Sequence, residues 1–150
     1  VSVLRGVCMF RMILVAIDGS KPAGRALETA IEEARVWNAE VHVIYVIESG
    51  LFSSLPMDNT LEIIYSVLQK EGEEILESAR EKADAAGVPV TTYLRQGHAG
   101  SQIVSLAEDL GVDLIILGSH GKSGIDRLFL GSVTDYVVRN SSITTTVVRS

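Results

Sequence analysis

Three apolar runs constrain the fold of this chain more than any other feature. Residues 12–17 read Met-Ile-Leu-Val-Ala-Ile, residues 114–117 read Leu-Ile-Ile-Leu, and residues 41–47 read Val-His-Val-Ile-Tyr-Val-Ile, broken only by His42. A strand with one face in water alternates apolar and polar side chains; a continuous run predicts a strand covered on both faces, the condition of a parallel sheet between helical layers. Helical spacing fills the intervals. Ala23, Ala26, Leu27, Ala30, Ile31 and Ala34 form an i, i+3, i+4, i+7 stripe, which predicts a helix from about 21 to 37 with Ser20 as N-cap and Pro22 in its first turn.

Leu61, Ile64, Tyr65, Leu68, Ile75, Leu76, Ala79, Ala83 and Ala86 predict a second, long helix that stops at Gly87, with Asn59 and Glu62 as a capping box and Gly72 as a weak point. Ile103, Leu106, Ala107 and Leu110 predict a third, stopped by Gly111, and a fourth is expected near 132–140. Residues 90–95 make a more polar strand suited to a sheet edge, and 144–149 a last strand. The order β-α-β-α-β-α-β-α-β with short connections implies right-handed crossovers. The fold class is therefore α/β: a single-domain, doubly wound, five-stranded parallel sheet with helices on both faces.

At 150 residues the chain is long enough for one full core, taken as 10–150 with 1–9 as an extension before it. No apolar run approaches the roughly 18 residues of a membrane helix, so no membrane role is expected. A net charge of −6 with scattered Lys and Arg argues against nucleic acid as a partner. Cys8 is the single cysteine, which fits a reducing, cytoplasmic setting. Residues 48–60 have loop composition, with Leu51 and Phe52 unplaced, and read as a flap.

The chemistry gathers in residues 113–132. An apolar strand runs into Gly118, Gly121, Gly124 and Gly131, and Ser132 opens a helical segment. Strand, glycine loop and helix N-terminus together offer free N–H groups, no Cβ atoms and a positive dipole end, all suited to phosphate. Gly121-Lys122-Ser123 imitates a Walker A loop, but Ile116 stands where that loop needs its first glycine. The dinucleotide fingerprint G-x-G-x-x-G and the nucleophile elbow G-x-S-x-G are also absent from this stretch. In an open α/β sheet ligands sit beyond the carboxyl ends of the strands where the strand order reverses. If the first and fourth strands are neighbours there, Asp18 lies beside Gly118 and its carboxylate can accept from ribose hydroxyls.

Gly118, Gly121, Gly131 and Ser132 fit the pattern G-x2-G-x9-G-[S/T], which resembles the nucleotide loop of the ATP-binding branch of the universal stress protein family. The likeness extends over residues 12–149, including Ile13-Leu14-Val15-Ala16-Ile17-Asp18-Gly19-Ser20 for the first strand. It implies an adenine nucleotide alpha hydrolase-like, Rossmann-like fold and an ATP site. Ala16, Ile17 and Asp18 would stand at the ribose, a backbone group of Val46 at the adenine, and Leu117 at the base or ribose. Gly118, Ser119, His120, Gly121, Gly131, Ser132, Val133 and Thr134 would surround the phosphates. Magnesium is implied as the counter-ion of ATP, and a homodimer formed through the C-terminal strand as the assembly. Two departures stand out: Ala16-Ile17 replaces a common Pro-Thr, and Ile143-Thr144 replaces the usual proline before the last strand.

Ser119, His120 and Asp126 invite a catalytic role, but adjacent residues rarely converge on one substrate atom, so no catalytic residue is expected. Lys122 and Arg127 suit either phosphate or solvent. His42 and His98 have no metal-ligand spacing. The alternatives to a binding module are a slow ATP hydrolase or phosphotransferase, a receiver domain with Asp18 as phosphoacceptor, and a partner-binding dimer without turnover.

Overall fold

The computed structural model describes residues 9–52, 59–121 and 130–149. The elements run β1 (Met12–Ala16), α1 (Lys21–Trp37), β2 (Glu40–Glu48), α2 (Asn59–Ala85), β3 (Val90–Gly97), α3 (Ala99–Leu110), β4 (Leu114–Gly118), α4 (Ser132–Asn140) and β5 (Thr145–Val148). They build one five-stranded sheet in the order β3-β2-β1-β4-β5, with every neighbouring pair parallel. The chain winds outward from β1 to β3, then crosses back to β4 and winds the other way, so the order reverses between β1 and β4. The polar strand β3 is at one edge, as expected, and β5 at the other.

Alternation along each strand divides the core in two. Ile13, Val15, Val41, Val43, Tyr45, Leu114 and Ile116 meet α1 and α2 on one face. Leu14, Ile44, Ile115 and Leu117 meet Ile103, Leu106 and Ala107 of α3 and Val137 of α4 on the other. All six members of the predicted α1 stripe are buried, and burying a Leu or Ile contributes roughly 1.5–3 kcal/mol. Alanines along the rest of that stripe let α1 lie close on β1 and β4.

The foot of the sheet is fixed by a contact far apart in sequence. The Asp113 carboxylate, just before β4, accepts from the backbone N–H of Arg11 at 2.9 and 3.1 Å and of Met12 at 3.1 Å. This clamp sets β1 against β4 in the register Ile13 to Leu114.

Several local boundaries differ, β3 for example running on to Gly97 and β5 spanning Thr145–Val148. Ile17 falls just past β1 yet still donates its N–H to the Ile44 carbonyl at 3.0 Å. Asn59 is already helical, so it is not the cap of α2, and the residue before it lies outside the described part. Ser49–Phe52 forms a short 3-10 turn, while 53–58 of the expected flap and 1–8 of the expected extension are outside the described residues. Gly72 is not a weak point: a Cβ there would sit 2.7 Å from the Tyr45 ring, so its absence lets α2 approach β2 closely.

Candidate functional site

The carboxyl ends of β1 and β4 lie side by side at the point of reversal, with Val15 opposite Ile116. Asp18 follows β1 and the glycine loop follows β4, and the two segments touch. A Cβ on Gly121 would lie 2.7 Å from Asp18 Oδ2. A Cβ on Gly118 would lie 2.8 Å from the Pro22 carbonyl carbon and 3.0 Å from the Ala23 nitrogen, both in the first turn of α1. A Cβ on Gly131 would lie 3.0 Å from His120 Cα and 3.5 Å from the Gly121 nitrogen. Gly118 is hemmed in by backbone, Gly131 is tightly approached by His120, and a side chain on Gly121 would displace the Asp18 carboxylate. Asp18 also shapes its own turn, because Oδ1 accepts from the Ser20 N–H at 2.9 Å.

The loop is closed from within. Gly131 donates its N–H to the Ser119 carbonyl at 2.7 Å, Ser119 donates its N–H to the Val148 carbonyl of β5 at 2.8 Å, and Thr134 donates its hydroxyl to the Gly118 carbonyl at 2.7 Å. These bonds carry the start of α4 to the end of β4. They also commit the Gly131 amide and the Thr134 side chain to the scaffold.

Helix N-termini differ in how they are finished. In α1 the Ser20 hydroxyl accepts from the Ala23 N–H at 3.3 Å, and in α3 the His98 ring accepts from the Ser101 N–H at 3.1 Å. In α4 the cap position is Gly131, which has no side chain to offer, and the first internal bond runs from Asp135 N–H to the Gly131 carbonyl. The N–H groups of Ser132, Val133 and Thr134 are thus left without a helical acceptor. They follow Gly131 by one to three residues; a Cβ on Gly131 would lie 3.5 Å from the Gly121 nitrogen, and Gly121 in turn adjoins Asp18.

Of the expected site residues, Asp18, Gly118, Ser119, His120, Gly121, Gly131 and Ser132 meet at this rim. Leu117 is 2% exposed and Val133 half-buried, and both pack in the α3/α4 core. The Ile17 side chain turns to the opposite core, with α1 and α2. Ala16 and Val46 are half-buried on the α3/α4 side, at the ends of β1 and β2. Lys122, Ser123, Gly124, Asp126 and Arg127 are outside the described residues. Ser119 and His120 meet each other, with Ser119 Oγ and His120 Nδ1 hydrogen-bonded at 3.1 Å. Ser119 is buried, and this bond gives its hydroxyl a partner among the described residues.

The remaining histidines are structural. His42 is buried in β2 with Nδ1 bonded to the Tyr93 hydroxyl at 2.9 Å, and His98 both caps α3 and meets Tyr136 of α4 edge to face at 4.8 Å between ring centroids. Among the described residues, no His, Cys, Asp and Glu group is arranged to hold a metal, and no helix is long and apolar enough to cross a membrane.

Comparison with known proteins gives a consistent result. The model of the Universal stress protein family matches residues 9–149. Universal stress protein MJ0531 of Methanocaldococcus jannaschii is 35% identical over 149 residues, covering 99% of this chain and 88% of that protein. Among solved structures, the hypothetical protein MJ0577 superimposes with a TM-score of 0.85 at 30% identity, over 95% of this chain and 97% of that one. A universal stress protein solved in complex with cAMP gives a TM-score of 0.67 at 27% identity, over 93% and 97%.

Proposed function

Because the chain belongs to the universal stress protein family, we propose that it is an ATP-binding stress-response module whose nucleotide lies across the carboxyl ends of β1 and β4. The observation that carries this reading is the uncapped N-terminus of α4, held against Gly121 and Asp18. Free amides of Ser132, Val133 and Thr134 and the positive end of the helix dipole suit phosphate oxygens. Gly118, Ser119, His120 and Gly121 supply the facing wall, where a side chain at either glycine would intrude. The Asp18 carboxylate accepts from the ribose hydroxyls, and the backbone of Val46, at the end of β2, meets the adenine edge. That a neighbour of 27% identity holds cAMP supports an adenine nucleotide as the class. Magnesium enters as the counter-ion of the phosphates, held by them rather than by a protein cage.

The test is equilibrium titration with ATP. Saturable binding is expected, weakened about tenfold in Asp18→Asn, which keeps the acceptor for Ser20 but removes the charge; a chain indifferent to all adenine nucleotides would end the proposal. Slow ATP hydrolysis is the second reading, favoured by the Ser119–His120 hydrogen bond in the phosphate wall. Phosphate release that persists in His120→Ala would remove that support. We also propose a cytoplasmic homodimer that pairs through β5, an edge strand of the sheet; gel filtration at the monomer mass would refute it.

A further inference from the structure

We propose that Glu48 selects the base of the bound nucleotide: its carboxylate accepts from the 6-amino group of adenine and repels the 6-oxo group of guanine or hypoxanthine. The proposal rests on the nucleotide-binding reading given above and adds a side chain to it. The sheet itself supplies the place. β1 pairs with β2 as far as Ala16 opposite Ile44, and the next residue, Ile17, donates its N–H to the Ile44 carbonyl at 3.0 Å. The chain then turns off through Asp18 and Gly19, whose φ is 84°, into α1. β2 runs on to Glu48, still paired on its other side with β3 as far as Gly97.

Main-chain groups of alternate residues in a strand face the same neighbour, so Val46 and Glu48 turn their N–H and C=O the way Ile44 does, toward the side that β1 has left. On that side the next strand is β4, two strand spacings or roughly 9–10 Å away, and it ends at Gly118 in the glycine loop. A planar base laid between them meets the edge of β2 in the way a further strand would.

Glu48 is half-buried, and only one of its two oxygens is used by the fold. Oε2 accepts from the N–H of Ala99, the first residue of α3, at 3.0 Å. That bond pins the side chain at the end of β2, while Oε1 has no partner among the described residues. The other carboxylate at this rim, Asp18, belongs to the ribose end. Adenine differs from guanine at position 6, where it carries an amino group with two hydrogens in place of a carbonyl oxygen. The Val46 carbonyl can accept one of those hydrogens, and Glu48, two residues or about 6–7 Å further along the same edge, offers an acceptor for the other. A carboxylate has no hydrogen to give, so a 6-oxo base would set acceptor against acceptor.

ATP and ITP, whose base is hypoxanthine, titrated separately into the full chain and followed by calorimetry, test the proposal. The unaltered chain should bind ATP about tenfold or more tightly than ITP. Glu48→Gln keeps the oxygen that Ala99 needs and turns an NH2 group toward the base, so ATP should weaken, ITP should tighten, and the ratio should fall at least about tenfold. A purely structural role for Glu48 would move both nucleotides alike and leave the ratio where it was. Asp18→Asn, at the ribose, should weaken the two equally. An ATP-to-ITP ratio unchanged by Glu48→Gln overturns the proposal, and so does equal binding of the two nucleotides by the unaltered chain. Those results leave ATP binding itself standing, whereas a chain that binds neither nucleotide removes the reading beneath the proposal as well.

Discussion

The two faces of the sheet close differently. On one, α3 and α4 pack directly on each other: the Tyr136 ring covers Gly100, and His98 at the head of α3 meets the same tyrosine edge to face. On the other, α1 and α2 are each drawn down onto the sheet, α1 by its alanines and α2 by Gly72 against Tyr45, and their buried residues share one core. One residue type thus does three jobs. Gly100 permits a helix to meet a helix, Gly72 permits a helix to meet a strand, and Gly24 borders space.

Substitutions at these positions sharpen the contrast. The largest effect is expected from Gly118→Val, because a Cβ there would sit 2.8 Å from the Pro22 carbonyl carbon in the first turn of α1, and main chain cannot swing aside. A loss of about 3 kcal/mol in urea denaturation is expected, together with loss of ATP binding. Gly100→Ala forces a methyl group to within 2.5 Å of the Tyr136 ring, near its attachment, and should lower stability by about 2 kcal/mol, partly restored by adding Tyr136→Leu. Thr134→Val removes the 2.7 Å bond to the Gly118 carbonyl and should lower stability by about 1 kcal/mol, with a matching fall in ATP affinity. Gly24→Ala should go the other way, raising stability by about 0.5–1 kcal/mol through helix propensity alone. A loss of stability at Gly24 comparable to that at Gly100 would erase the distinction between the two faces.

Much of the frame could be read from residues in line. The α1 stripe is buried at each predicted position because a 3.6-residue period fixes which side chains face the sheet, whatever that sheet contains. Ser20 caps α1 as expected, since the bond to Ala23 N–H spans only neighbours. The pairing of Asp18 with the glycine loop was accessible through the rule that ligand sites form where strand order reverses. Other features gave no local signal. Gly72 read as a defect because its justification, the Tyr45 ring, belongs to another element. The same holds for Gly100 and Tyr136, for the Asp113 clamp on Arg11 and Met12, and for the Thr134 hydroxyl reaching back to Gly118.

By itself the sequence determined the element types, their order and the phosphate-suited character of the loop after β4, because helix period, strand hydrophobicity and glycine's missing Cβ act over a few bonds. Only tertiary structure decided that Asp18 Oδ2 lies against Gly121, that α4 alone of α1, α3 and α4 begins without a side-chain cap, and that Gly72 lies under the Tyr45 ring. Those outcomes depend on distances between segments separated by tens of residues. Such distances are set by how side-chain volumes fill the space above the sheet, and no periodicity along the chain encodes them.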